Sequence, residues 1–210
     1  MKNYLLILLL TPIACITAQS VTISSETAPV EYYRLPDYPL PKEYTTYSSN
    51  LDMSFTELSK SGFTESYLID TYLKLEGYKQ VNKNPDVEIT ATVGEFIVWS
   101  ELRNTNKNKT KDKNGVEQVR YTYSMTVKYS QPMGLQVFNK EGKVLIDKYV
   151  FTMSDTRSWT SSTYSSMSDL DSYWRIQRKT KLSDLQKDLM KEGMNTISDL
   201  INDNFGFQLI

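Results

Sequence analysis

The residue types able to carry chemistry are few and loosely spaced. The chain has no histidine, which excludes histidine general bases, histidine triads and histidine metal sites. The single Cys15 excludes an intramolecular disulfide and a thiolate metal cage. Serine hydrolysis would then need a Ser–Lys or Ser–Asp arrangement. Ser158, Ser161 and Lys179 supply the types, but no spacing singles them out. There is no G-x-S-x-G, no glycine-rich phosphate loop and no paired metal-ligand motif. Asp169 and Asp171 carry hard oxygens of the kind that bind Ca2+, yet the glycine of a calcium loop is missing and a solvated polar loop is the simpler reading. The expectation is a protein that is not an enzyme and holds neither cofactor nor metal.

The sharper features are aromatic and basic. Trp159, Tyr164, Tyr173 and Trp174 lie among small polar residues in 153–179, a stretch without helical or strand period. Such rings bury much area at low entropic cost, and their flat faces stack on sugars. The alternative is that they fold back and cap one end of a sheet. Tyr33 and Tyr38 lie among Pro29, Pro36, Pro39 and Pro41, in an arm that should run extended as a strap along a surface, its own or a partner's. The run 107–113 alternates lysine with Asn and Thr and contains Asp112. It reads as a solvated hairpin tip, with contact to acidic lipid or polysaccharide as the other reading. Overall, 24 Lys+Arg against 25 Asp+Glu gives a net charge of −1, which argues against a dedicated nucleic-acid binder.

Certain elements must position these residues. Lys2 followed by an apolar stretch from Tyr4 to Ile16, ending in Ile16-Thr17-Ala18, reads as a signal peptide over 1–18; it is shorter than the ~20 residues of a membrane span. Pro12-Ile13-Ala14-Cys15 is a loose lipobox, so a lipid anchor at Cys15 is the alternative to cleavage after Ala18. The arm then covers 19–44 and one domain 45–210. A strand is expected over 44–55 and a helix over 62–76 with Gly77 just beyond it. After the turn Asn84-Pro85-Asp86, Val87 to Trp99 reads as a long strand, with Gly94 marking a bulge. Residues 104–115 read as a mobile tip. Tyr121, Tyr123, Met125, Val127 and Tyr129 alternate with polar residues, the pattern of a half-buried antiparallel strand. Asn139-Lys140-Glu141-Gly142 turns a hairpin between 135–138 and 144–151. The segment 153–179 is expected to be a long irregular insertion. A final helix over 182–205 carries Leu182, Leu185, Leu189, Ile197, Leu200 and Ile201 as its stripe, with Ser183 to Gln186 as a capping box and Gly206 at the stop.

This order predicts an α+β fold: a mainly antiparallel sheet of about five strands with two helices packed on one face. The helix ending Leu75-Glu76-Gly77-Tyr78, the strand opening Asn84-Pro85-Asp86-Val87-Glu88-Ile89, the hairpin Val137 to Leu145 and the closing amphipathic helix together resemble an envelope domain. It is the domain shared by the TolB amino-terminal region, CsgG-type secretion lipoproteins and LpoB-type synthase activators. The tyrosine- and asparagine-rich body looks like exported proteins of Bacteroidetes-type bacteria. The resemblance implies no catalytic residue. It implies a non-enzymatic, exported accessory or scaffold in the periplasm or outer-membrane periphery of a Gram-negative bacterium, binding another envelope protein. Tyr33, Tyr38, Trp159, Tyr164, Tyr173 and Trp174 are the expected contact residues. A glycan- or peptidoglycan-binding module built on the aromatic segment is the alternative.

Overall fold

Two-residue periodicity in the middle of the chain and one long apolar stripe near its end decide the architecture. A computed structural model describes residues 33–209. The signal segment with Cys15, and Pro29 of the arm, lie outside the described residues.

The chain opens with β1 (Tyr33–Arg34) and β2 (Thr46–Met53), followed by two short helices, α1 (Phe55–Ser61) and α2 (Glu65–Tyr72). Ser54 caps α1 through its side chain and Thr64 caps α2 in the same way, each accepting from a backbone N–H of the first turn. Gly62, at φ 72°, ends α1 in the left-handed region. The helix expected over 62–76 is α2, shorter at both ends, and α1 is an additional helix that begins where the first strand was expected to end. A short edge strand, β3 (Lys79–Gln80), precedes β4 (Val87–Val93) and β5 (Ile97–Lys111). Then come β6 (Glu117–Ser130), β7 (Met133–Asn139), β8 (Val144–Phe151) and β9 (Arg157–Thr160). A 39-residue helix, α3 (Met167–Phe205), and β10 (Gln208–Leu209) complete the chain.

Five strands form one mixed sheet in the order β3-β2-β4-β7-β8. The pairs β2–β3 and β2–β4 are parallel, whereas β4–β7 and β7–β8 are antiparallel. The expectation of a mainly antiparallel sheet is corrected here. Two strands joined through helices pair in parallel, because a crossover returns the chain in the same direction. The expectation of one helical face holds, but with three helices. Val87, Ile89, Ala91 and Val93 point inward with Tyr47, Leu51, Met133, Leu135 and Val137, and they meet Leu68 and Tyr72 of α2 and Met190, Met194, Ile197 and Ile201 of α3. A fully buried side chain of this size contributes about 1.5–3 kcal/mol.

The remaining long strands form a second sheet, β5-β6-β9, antiparallel throughout. It is not separate from the first. Val93 pairs with Met133 in one and Ile97 with Ser130 in the other, leaving three residues, 94–96, opposite two, 131–132. The ladder thus runs on through a bend. Gly94 donates its N–H to the Pro132 carbonyl at 2.9 Å, and a Cβ on Gly94 would stand 2.7 Å from the Pro132 ring. Over this second sheet Met125, Val127 and Tyr129 pack against Leu170, Trp174, Leu185 and Leu189 of α3.

The irregular segment expected over 153–179 is the clearest correction. It holds β9 and the first thirteen residues of α3, capped by Ser166. The cap foreseen at Ser183 lies inside the helix, where the Ser183 hydroxyl donates to the Lys60 carbonyl at 2.9 Å. At about 1.5 Å per residue α3 is ~58 Å long, which lets one helix cover both sheets.

Candidate binding surface

The expected contact residues divide between the two ends of the molecule. At one end Asp37 and Tyr38 donate backbone N–H groups to the carbonyls of Asp203 and Asn204, both at 2.9 Å. β1, with Tyr33, pairs with β10. The described part of the arm is therefore a strap on the chain's own C-terminus, with the Tyr38 side chain 68% exposed. Trp174 lies thirty residues before Asn204 on the same helix, about 45 Å away.

At that far end the four remaining aromatics pair with one another. The rings of Trp159 and Trp174 stack with centroids 6.1 Å apart, and those of Tyr164 and Tyr173 meet at 5.2 Å. Trp174 is 6% exposed, and its Nε1 donates to Glu101 Oε2 at 2.7 Å. The Lys181 ammonium covers the outer side of the Trp159 ring, 4.9 Å from its centroid. Tyr164 is tied to β6 by two backbone hydrogen bonds with Tyr123, at 2.8 and 2.9 Å. The rings pack on one another and against Met125 and Val127 of the second sheet, the folded-back arrangement.

The candidate catalytic and metal residues fall on different elements. The Ser161 hydroxyl is buried, accepts from the Met125 N–H and donates to the Ser162 carbonyl. Ser158 sits on β9, while Lys179 lines a groove beside α1. Asp171 pairs with Arg103 of β5 at 2.7 Å, and the Asp169 N–H takes part in the helix cap instead. No group of three or more metal-ligating acidic or thiol side chains occurs among the described residues.

What remains open is the ribbon made by β5 and β6. The pairing persists to Lys111 opposite Glu117, so the expected mobile tip is two long strands closed by a short turn. The spacing of Lys107, Lys109, Lys111 and Lys113 at every second residue was the sequence signal for a strand. Register gives the ribbon two unlike faces. Lys107 lies opposite Tyr121 and Lys109 opposite Val119, whereas Asn106, Asn108 and Thr110 face Thr122, Arg120 and Gln118 on the other side. Among the described residues no strand pairs with the outer edge of β5, which leaves a fifteen-residue edge of backbone donors and acceptors.

Near the root of that edge is a groove of about 530 Å3, with Phe96, Val98 and Leu182 in its wall and Lys60 and Lys179 at its rim. Glu57 is buried beside it. Its carboxylate accepts from the Phe96 N–H at 3.0 Å, the Gln186 amide at 2.8 Å and Lys60 at 2.9 Å, so the charge is fully partnered and locks α1, β5 and α3 together. Further along, Arg178 grips Glu101 at 2.6 Å and holds its carboxyl below the usual carboxylate range. This surface can offer hydrogen bonds, positive charge and apolar contact.

No family model and no curated protein matches the chain. A solved structure to which it is similar is that of a minor lipoprotein from Acinetobacter baumannii, at 16% identity and a TM-score of 0.29, with 76% of this chain and 95% of that one covered. At so low a TM-score the likeness assigns neither fold family nor function. No helix among the described residues is long and apolar enough to cross a membrane.

Proposed function

We propose that the protein is a non-enzymatic accessory or scaffold of the cell envelope, exported to the periplasm or outer-membrane periphery, that binds another envelope protein along the open edge of β5. The observation that carries this reading is the fifteen-residue strand bonded on one side only. An extended segment of a partner gains main-chain hydrogen bonds along such an edge, and neighbouring pockets supply selectivity. The groove walled by Phe96 and Val98 opens beside the first residues of this strand. The short apolar segment after Lys2 and the resemblance to envelope domains support the location. The glycan-binding alternative loses ground, because Trp159 and Trp174 give their flat faces to each other.

A photo-crosslinking residue at Leu102, half exposed on β5, tests the reading against one at the exposed Thr92 on the outer face of the larger sheet. In envelope extract the Leu102 probe should give a discrete protein adduct and the Thr92 probe none. Equal adducts at both positions, or retention only on peptidoglycan, would overturn it.

A further inference from the structure

The outer part of the ribbon, residues 104–122, holds five cations, Lys107, Lys109, Lys111, Lys113 and Arg120, against Asp112 and Glu117, a net of +3. The rest of the chain, with 19 Lys+Arg against 23 Asp+Glu, is net −4. The positive charge is therefore concentrated on the ribbon, outside both apolar cores.

We propose that this ribbon end docks on an anionic lipid surface, with its lysine, tyrosine and valine face against the membrane. Three observations carry it. First, the cations and the apolar groups share a face: Lys107 is directly opposite Tyr121, and Lys109 is opposite Val119. Second, these apolar side chains are open, Tyr121 at 49%, Val119 at 42% and Val116 in the turn at 58%. Third, the same face is covered by α3 nearer the body, where Arg103 meets Asp171, and nothing among the described residues covers it beyond Tyr123. The opposite face is neutral apart from Arg120. This is the sheet counterpart of an interfacial amphipathic helix: apolar groups enter the headgroup boundary and lysine stems lie along it while their ammoniums reach lipid phosphates.

A soluble polyanion would satisfy the charges but has no use for Val116, Val119 and Tyr121. A lipid surface uses both, and tyrosine suits the boundary because its ring is apolar and its hydroxyl is wet. Lys109 is already paired with Glu117 at 2.6 Å, so Lys107, Lys111 and Lys113 carry the free charge toward lipid. Each basic residue near an anionic surface strengthens binding by about fivefold at low salt.

The test is co-sedimentation of the whole chain with phosphatidylglycerol–phosphatidylcholine vesicles and with phosphatidylcholine vesicles alone. Two variants are compared with the wild type: Lys107→Gln/Lys111→Gln/Lys113→Gln and Val116→Ser/Tyr121→Ser. All substituted side chains are exposed, and unchanged thermal unfolding confirms that both variants fold. The wild type should prefer the anionic vesicles. The charge variant should lose about a hundredfold in partitioning and the apolar variant several-fold. No loss with either variant would overturn the proposal. So would loss with the charge variant alone together with equal binding to soluble polyphosphate, which would point to a polyanion. No protein partner is present, so the outcome is independent of the β5-edge reading.

Discussion

The two sheets share one ladder and one helix, yet they are held in different ways. Beneath the five-stranded sheet the C-terminal half of α3 meets a broad apolar layer that also draws on α2 and on Leu73 and Leu75. Beneath the three-stranded sheet the layer is narrow, and polar contacts stitch its border: Trp174 and Arg178 to Glu101, Arg103 to Asp171 and Arg157 to Glu192. Exposed ion pairs of this kind contribute at most about 1 kcal/mol each and weaken with salt. The comparison teaches that the smaller layer has less apolar burial to hold it, and it predicts that the second region opens locally before the first.

The largest expected effect is that of Val127→Asp, which buries an unpaired carboxylate in the second layer, where Val127 is fully covered. It should cost about 4 kcal/mol or more. Urea unfolding checks this, and an unchanged midpoint would show that the face of β6 is wrongly assigned.

Next come paired truncations, Ile197→Ala beneath the larger sheet and Trp174→Ala beneath the smaller. Both residues are buried, and each should cost about 3 kcal/mol. Hydrogen exchange separates them: Trp174→Ala should speed exchange at 125–127 and leave 87–93 protected, whereas Ile197→Ala should lower protection everywhere. Loss of protection in both regions of Trp174→Ala would make the two layers a single cooperative unit.

The smallest effect belongs to the larger sheet and is a pH effect. Asp86 accepts from the Thr45 N–H at 2.9 Å, the Thr46 hydroxyl at 2.9 Å, the Thr46 N–H at 3.1 Å and Lys140 at 3.3 Å, clipping the starts of β2 and β4 to the β7–β8 turn. These donors, the Thr45 N–H foremost, lower its pKa from 3.8 to about 2. Because the folded value is depressed, the stabilisation is fully present above about pH 4 and disappears as pH falls through about 2. Thermal unfolding followed from pH 5 to about pH 2 should therefore fall more steeply for the wild type than for Asp86→Asn.

The legible parts of the sequence were those where one face is buried and the other wet. Val87 to Val93 and Tyr123 to Tyr129 alternate because both lie under a helix, and the stripe of Leu185, Leu189, Ile197 and Ile201 passes from the second apolar layer to the first. The first turns of α3 were hidden because only Leu170 and Trp174 are fully buried there, and residues 175–180 are exposed. A helix that lends so few apolar residues to a core resembles a polar loop when its sequence is read alone. α1 was hidden by Phe55, which looks like the end of a strand but is exposed, while the buried position of the first turn is Glu57. The aromatic site was read by type, and type does not reveal partners: Trp159 finds Trp174 across fifteen residues and a change of element. The ribbon was present as an alternation of lysine with Asn and Thr, which polarity alone disguised as a loop.

The continuous ladder has a mechanical consequence. The ribbon is a lever rooted in the middle of the larger sheet, since β5 continues β4 and β6 continues into β7 across the bend at Gly94 and Pro132. A load applied to its tip along the strands pulls β4 and β7 together and shears the ladders that join them to β2 and β8. α3 ties the two arms of the bend, so flexing the ribbon strains Arg103–Asp171 and Glu101–Arg178 before it reaches the apolar layer. Tension taken up at the tip passes to β4 and β7 through a bend of only a few residues, pinned by the Gly94–Pro132 hydrogen bond.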